Sequence, residues 1–540
     1  MCVLGFASLV FGVSGLRAVP SQSLSIWPAA SDLPSIRLPR IEAAPMNTAA
    51  SKTKSNTSCD LDRSQQPAIT PRSSHASVTV VPGGAFNGVS GDDQGDGGAV
   101  QGSVRPPGSK SLTNRALVCA AFASGTSRLT GSLVSEDTEV MIASLSKVGV
   151  KIESLDAGRT LVVEGVTAAD SAGDELNGPP IEMFIANSGT TVRFLTAALS
   201  AFGGKYRLSG VDRMHERPIG DLVDAISPAI DGSITAVSDG GCPPVEIDAK
   251  GWSGRSMSVA GGVSSQYLSG LMMAGPIASK PIELKITGQL VSIPYVRMTA
   301  KLMEAFGGQT DWDLEASQAI RVSGSYSACD YAIEPDASAA SYFWAAAAVS
   351  GGRVTVEGLS EDALQGDVGF VRVLEQMGCE VNATDHSIEV VGGDLHGVDV
   401  NMSEISDTVQ TLAVVALFAD SPTRVRGVAH NRFKETDRIG NLAIELRKLG
   451  AQVDEHEDGL TIHPLPAEAS SGHGDPVEME TYNDHRMAMS FAVAGLRIPN
   501  VRILNPACTG KTYPEFWADL EKLTGRPHHW QGGLTEKGKT

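Results

Sequence analysis

Eight of the ten cations in a set of short polar segments of this 540-residue chain could do chemistry together: Lys110 and Arg115 in GSKSLTNRAL (108–117), Arg193 in NSGTTVRFL (187–195), Arg217 in DRMHERPIGD (212–221), Lys434 and Arg438 in NRFKETDRIG (431–440), Arg486 in NDHRMAM (483–489), and Lys511 in CTGKTYPEF (508–516). Two carboxylates stand among them, Asp407 in SDTVQTL (406–412) and Glu435 beside Lys434. Lysines and arginines grouped in this way suit small, multiply charged anions, and a carboxylate placed among them can move a proton. GSKS is not a P-loop, because G-x-x-x-x-G-K-[ST] is absent there, so nucleotide hydrolysis loses its usual support. KETDR spaces Lys434 and Arg438 four apart, which on a helix would put both cations on one face. Taken alone that spacing describes a solvated salt-bridge face. Its register with the other segments favours a site.

That register comes from a sixfold repeat. Five amphipathic helical patterns, each passing through Gly into a β-prone run, and a sixth that closes the chain have their glycines at Gly149, Gly232, Gly307, Gly378, Gly450 and Gly525, so the unit is about 75 residues. Each unit also carries an Ala-rich pattern such as LVCAAFASG or YFWAAAAVSGG, apolar on nearly every side and therefore expected to be buried beneath the charged helices. The alternation predicts an α/β fold with two helices on each sheet, and six units divide most naturally into two domains of three. In front of every Ala-rich helix stands Ser, Asn, Asp or Gly: GSKS, NSGTT, SSQYLSG (264–270), DASAASYF (336–343), SDTVQ and NDHR. Such residues cap helix N-termini. For DASAASYF capping suffices; in the other five, Lys110, Arg115, Arg193, Gln266, Asp407, His485 and Arg486 exceed what a cap needs. Free backbone N–H groups and the positive end of the helix dipole bind phosphates and carboxylates, so equivalent helix ends in two domains can serve one anion cleft.

Composition sets the outer limits. Lys+Arg 43 against Asp+Glu 62 give a net charge of −19, which argues against a nucleic-acid binder. The seven cysteines are scattered and form no C-x-x-C pair, so neither a disulfide framework nor a zinc site is expected. Cys2 to Leu16 is apolar but too short to span a membrane, and no membrane role follows. Residues 1–75 carry seven Lys/Arg against four acids. They read either as an organellar transit peptide or as a disordered extension, with Met46 as an alternative start. Residues 88–102, GVSGDDQGDGGAVQG, read as a Gly/Asp-rich loop.

The motifs GSKSLTNRAL, NSGTTVR, HERPIGDLVDA, SSQYLSGLMM, SIPYVRMT, LAVVALFAD, FKETDRI, YNDHRMAM and CTGKTYPEF, collinear over roughly 76–528, resemble the EPSP synthase (3-phosphoshikimate 1-carboxyvinyltransferase) family of enolpyruvyl transferases. The resemblance implies two domains, each of three βαβαββ units in an inside-out α/β barrel, that close over the substrates. It places 76–107 with 333–528 in one domain, 108–332 in the other, and 529–540 in a C-terminal tail. It implies transfer of the enolpyruvyl group of phosphoenolpyruvate to the 5-hydroxyl of shikimate 3-phosphate, with release of phosphate and with neither metal nor cofactor. By motif match, Lys110, Ser111, Arg115, Ser264, Ser265, Gln266, Ser292, Asp407 and Lys434 hold shikimate 3-phosphate. Lys110, Gly189, Arg217, Gln266, Arg438, Arg486 and Lys511 hold phosphoenolpyruvate, and Asn187, Thr190, Arg193 and Tyr295 line the same cleft. Asp407 is the expected base for the hydroxyl, Glu435 the acid for the methylene and then the base for the resulting methyl, with Lys110 assisting.

Four positions depart from the family pattern: Ala186 and Phe194 where Gly and Pro are frequent, Ser406 in place of Pro, and His430 in place of an Asn that touches the shikimate moiety. They bear on sensitivity to glyphosate, the family's phosphoenolpyruvate-site inhibitor. Two rivals share the scaffold, the sister transferase acting on UDP-N-acetylglucosamine and a non-catalytic anion-binding protein. The first usually carries a Cys in the region matching DRMHERPIG, and none is present here. The second need not retain Lys110, Asp407 and Glu435 together. RNA-end cyclases use a related unit, but the acidic chain argues against an RNA partner. A monomer in the cytoplasm is expected, or in a plastid if the first 75 residues are a transit peptide.

Overall fold

The computed structural model describes residues 76–81, 99–167, 178–466 apart from 263, 279, 289, 291 and 314–317, and 475–531. The expectations for residues 1–75 and for 88–98 therefore lie outside the described residues. All of the described residues fall in one compact unit.

Within it stand six four-stranded sheets, and all six share one pattern: a parallel pair, then two antiparallel neighbours. In one sheet Ile181–Phe184 runs parallel to Gly204–Ser209, which pairs antiparallel with Cys242–Trp252 and that in turn with Ile230–Ser238. Three sheets borrow strands from far along the chain, one of them Gln101–Val104 beside Arg353–Glu357. Asp330–Ala332 lies parallel to Thr126–Thr130, and Ser77–Thr79 inserts between Val501–Leu504 and His529–Gln531. The repeat glycines follow the expected logic, since all six have positive φ, from 66° to 142°, where a side chain would be strained.

Each sheet carries the two helices its sequence called for. The inner set is Lys110–Ala121, Gly189–Phe202, Ser265–Ala274, Ala337–Ser350, Val409–Ala416 and His485–Gly495. Every residue of Ala337–Ser350 is buried, because an all-round apolar helix has no face to offer water. Small residues let these helices approach closely: a Cβ on Gly270 would stand 3.1 Å from the Arg193 carbonyl oxygen of the neighbouring helix. The buried side chains form two separate clusters, one drawn from Leu112 to Ile333, the other from Val78 to Val104 and Ala337 to Leu523. The chain thus passes between the two cores twice, near residues 105–111 and 333–336.

Three expectations need correction. Gln101 and Gly102, read as the end of a loop, begin the strand Gln101–Val104, held parallel to Arg353–Glu357. His529–Gln531, read as tail, is a sheet strand, fixed by Trp530 packing edge-on against Trp517 at 5.7 Å. Lys434 to Arg438 do not form a helix. The helix starts at Gly440, because Asp437 Oδ1 accepts from the backbone N–H groups of both Ile439 and Gly440 and so ends the preceding turn there.

Candidate functional site

Five of the six inner helices begin as the capping residues predict: the side chains of Ser109, Ser188, Ser264, Asp336 and Asp484 each accept from a backbone N–H in the first turn. The sixth differs. Val409–Ala416 has no side-chain cap and is preceded by a 3-10 turn, Ser406–Thr408, which frees the Asp407 carboxylate for other partners. Asn431 fixes that turn by donating to the Ser406 carbonyl at 2.9 Å.

Five of the six helix ends, all but that of Ala337–Ser350, converge on one cleft. Its lining includes Lys110, Ser111, Arg115, Arg217, Ser264, Ser265, Gln266, Ser292, Asp407, Lys434, Glu435, Arg438 and Arg486, joined by Thr190, Arg193, Tyr295 and His430. Seven cations thus face two carboxylates, a formal excess of five positive charges in a chain whose net charge is −19. Gly189, Asn187 and Lys511 sit immediately behind this lining. A Cβ on Gly189 would stand 2.5 Å from Arg217 Nη2 and 2.9 Å from Arg193 Nη1, so a side chain there would push those guanidinium groups away from the helix end. Arg217 Nη1 donates to both the carbonyl and the side-chain oxygen of Asn187, and Lys511 Nζ donates to the same carbonyl at 3.1 Å.

Asp407 is the most heavily engaged carboxylate. Arg486 Nη2 lies 2.7 Å from its Oδ2, Arg438 Nη1 3.2 Å from Oδ1, and Lys434 Nζ 3.7 Å from Oδ1. Burial pushes this carboxyl up, but Arg486, Lys434 and Arg438 more than offset it and hold it far below the usual carboxylate range. Glu435 behaves alike: burial is outweighed by Arg438, 2.7 Å away, and Lys511, 3.4 Å away, with Arg217 and Lys110 adding to them. Both acids are therefore ionised in the ligand-free cleft. Arg438 is 2% exposed and is clamped from behind by Asp484, whose two oxygens accept from Nε at 2.7 Å and Nη2 at 3.3 Å.

The opposite wall is equally fixed. Arg115 donates to Thr299 Oγ1 at 2.7 Å, to the Ser111 carbonyl at 2.9 Å and to Ser269 Oγ at 3.3 Å, and its guanidinium lies 5.0 Å over the Phe194 ring. Burial lowers its pKa to about 10, which leaves it charged. Phe194, a departure from the family pattern, thus supplies a cation–π floor. Arg193 donates to Gln266 Oε1 at 2.6 Å, and Ser292 reaches the Ser403 carbonyl at 3.4 Å from a left-handed backbone, φ +55°. Ala186 also has positive φ, +46°, which accounts for glycine being the commoner choice there. His430 lines the cleft with its Nε2 unpartnered. Burial, then Lys434, lowers its pKa to about 4, so the ring is neutral.

Two acids escaped the sequence reading. Asp137 pairs with Lys110 at 3.3 Å and Lys511 at 4.0 Å, but in sequence it is one of three acids opening an ordinary capped helix. Asp367 Oδ2 lies 3.1 Å from the Tyr295 hydroxyl and accepts from Ser338, and nothing in QGDVGF sets it apart. Among the described residues, no group of three or more His, Cys, Asp or Glu could hold a metal ion, and no helix is long and apolar enough to cross a membrane.

Comparison with known proteins gives this geometry a family. The EPSP synthase (3-phosphoshikimate 1-carboxyvinyltransferase) family profile matches residues 95–520. The 3-phosphoshikimate 1-carboxyvinyltransferase of Nostoc punctiforme is 42% identical over 419 residues, 77% of this chain and 95% of that protein. The chloroplastic enzyme of that name from Brassica napus is 43% identical over 448 residues, 79% of this chain and 83% of that protein. In fold, EPSP synthase from Acinetobacter baumannii matches at TM-score 0.66 and 24% identity, over 85% of this chain and all of that one. An enolpyruvyl transferase from Streptomyces tendae matches at 0.61 and 17% identity, over 85% of this chain and 98% of that one. The fold is thus the two-domain enolpyruvyl transferase fold, and the chain belongs to the EPSP synthase (3-phosphoshikimate 1-carboxyvinyltransferase) family.

Proposed function

We propose that this cleft transfers the enolpyruvyl group of phosphoenolpyruvate to the 5-hydroxyl of shikimate 3-phosphate, giving 5-enolpyruvylshikimate 3-phosphate and phosphate. One observation carries the reading beyond family membership: seven cations and two carboxylates line a single cleft between the two cores. Each substrate brings a phosphate and a carboxylate, so together they neutralise the positive excess. The domains that close over them are 76–107 with 333–528, and 108–332, a division supported by the two separate cores.

Lys110, Ser111, Arg115, Ser264, Ser265, Gln266, Ser292 and Lys434 hold shikimate 3-phosphate with Asp407 beside its 5-hydroxyl. Gly189, Arg217, Arg438, Arg486 and Lys511, with Lys110 and Gln266 shared, hold phosphoenolpyruvate. In the addition step the hydroxyl oxygen attacks C2, its proton passes to Asp407, and the methylene carbon takes a proton from Glu435. In the elimination step Glu435 takes a proton back from the new methyl, the C2–O bond to phosphate breaks, Lys110 meets the departing charge, and the proton left on Asp407 departs with the phosphate. The ligand-free cleft holds both acids ionised, so this chemistry depends on the substrates. Their anionic groups draw the arginines and lysines off Asp407 and Glu435, raising the proton affinity of both. Closure dries the site, and each remaining charge contact grows from about 1 kcal/mol in water to about 4 kcal/mol.

One chain supplies every residue of the cleft, so a monomer suffices. The cytoplasm is its place of action, or a plastid if residues 1–75 serve as a transit peptide, a role in keeping with the chloroplastic naming of the Brassica napus relative. The test is phosphate release from the full chain with both substrates, which falls to background when either is omitted. Release from phosphoenolpyruvate alone would identify a phosphatase instead.

A further inference from the structure

Behind Asp407 lies a second carboxyl that the reaction as written does not use. Asp367, 3% exposed, stands in the turn Gly366–Gly369, which holds no other charged residue. The Tyr295 hydroxyl lies 3.1 Å from Asp367 Oδ2 and 3.2 Å from Asp407 Oδ2, so it joins the two acids. Ser338 meets the same Asp367 oxygen, Oδ1 is buried without a partner, and Asp367 has no ion pair among the described residues.

Proton counting decides what this arrangement requires. A phenol has one hydrogen, and an ionised carboxylate only accepts. Asp407 is held ionised by three cations. Were Asp367 ionised too, the single Tyr295 hydrogen could serve only one acid: given to Asp367 it leaves Asp407 to its three cations without Tyr295 to orient it, and given to Asp407 it leaves Asp367, which has no ion pair among the described residues, facing the Tyr295 lone pairs at 3.1 Å. A proton on Asp367 removes the conflict: Asp367 donates to Tyr295, and Tyr295 donates to Asp407.

We propose that Asp367 carries a proton and, through the Tyr295 hydroxyl, orients the Asp407 carboxylate toward the substrate hydroxyl. It is a positioning residue, a neutral carboxylic acid standing one hydroxyl behind the base. The packing supports this. Tyr295 comes from the helix Ile293–Ala305, whose buried side chains belong to the other core, so the chain of three groups forms across the cleft. Around Asp367 the charged groups are Asp407, Arg486 from His485–Gly495, and Asp336 at the start of Ala337–Ser350. Burial and then Asp407 raise its pKa to about 7, with Ser338 and Arg486 pulling the other way. As pH rises past this range Asp367 ionises, the Tyr295 hydrogen is contested and Asp407 loses its orientation.

The inference rests on the function proposed above, and its test separates the two. Phosphate release by the unsubstituted chain establishes the function. Asp367→Asn, which keeps a neutral donor in place, should retain turnover at pH 6 within about threefold and lose the alkaline fall that the unsubstituted chain shows at or above pH 7. Asp367→Ala should lose about 10- to 100-fold, the worth of a buried hydrogen bond to a charged group. In a Tyr295→Phe background the Asn and Asp forms should have the same pH profile. Infrared difference spectra of the ligand-free protein provide a readout independent of activity: the carbonyl stretch of a protonated carboxylic acid present with Asp367 and absent in Asp367→Asn. An unchanged alkaline limb in Asp367→Asn, or no protonated carboxyl band to lose, overturns the proposal.

Discussion

Replacing Glu435 with glutamine separates binding from chemistry in this cleft. The ionised carboxylate occupies Arg438 Nη2 at 2.7 Å and Lys511 Nζ at 3.4 Å, two of the cations assigned to phosphoenolpyruvate. Glutamine keeps the shape but removes the charge, so both cations become freer for the ligand. A general acid or base contributes about 100- to 10,000-fold, which is about 3–5 kcal/mol at the transition state. Turnover should fall by that factor while phosphoenolpyruvate binds as tightly as before or more tightly. Steady-state phosphate release gives kcat, and titration calorimetry with phosphoenolpyruvate on the shikimate 3-phosphate complex gives the dissociation constant. Turnover within tenfold of the unsubstituted chain, or a large loss of affinity with little loss of kcat, would refute the role given to Glu435.

Other consequences are as direct. Asp407→Asn should lower kcat by about 100-fold or more, with shikimate 3-phosphate still bound, as equilibrium dialysis and initial rates would measure. Phe194→Leu removes the face under Arg115 and should raise KM for shikimate 3-phosphate by about 2- to 30-fold at nearly constant kcat, from a cation–π contact of about 0.5–2 kcal/mol. His430 has its pKa lowered from 6.5 to about 4, so the unfolded chain binds its proton more readily. The neutral form's contribution is therefore complete above pH 6.5 and is lost as pH falls toward 4. Denaturant titrations should show His430→Asn flattening that slope, by on the order of 2–3 kcal/mol across the window.

Much of this was legible in the sequence, because its local rules agree with one another. Ser109, Ser188, Ser264, Asp336 and Asp484 announce helix starts by side-chain chemistry that needs no tertiary partner. Five of the six glycines announce left-handed turns in the same way, while Gly232 sits at a bulge inside the strand Ile230–Ser238. What failed depends on distant partners. Nothing within KETDR reveals that Asp437 starts a helix two residues past Arg438 and leaves Lys434 to Arg438 free to turn into the cleft. His529–Gln531 looks like tail until Ser77–Thr79, over 440 residues away, offers it a sheet edge. Asp367 and Tyr295 acquire meaning only when two cores, separated by a double crossing of the chain, bring them within hydrogen-bond distance.

Net charge misleads in the same way. Leaving aside residues 1–75, with seven cations and four acids, the catalytic body carries −22, yet its cleft gathers seven cations around two carboxylates. The surface charge serves solubility, while buried arginines and helix ends decide what binds.

The central claim is best tested by following shikimate 3-phosphate and phosphoenolpyruvate by NMR in deuterium oxide with the full chain present. Addition followed by elimination passes through a methyl group, so the account predicts an enol ether on the 5-oxygen, phosphate in equal amount, and deuterium in the product's methylene. It also predicts that Glu435→Gln abolishes the deuterium together with the product. An enol ether formed without deuterium, or phosphate without an enol ether, would contradict it.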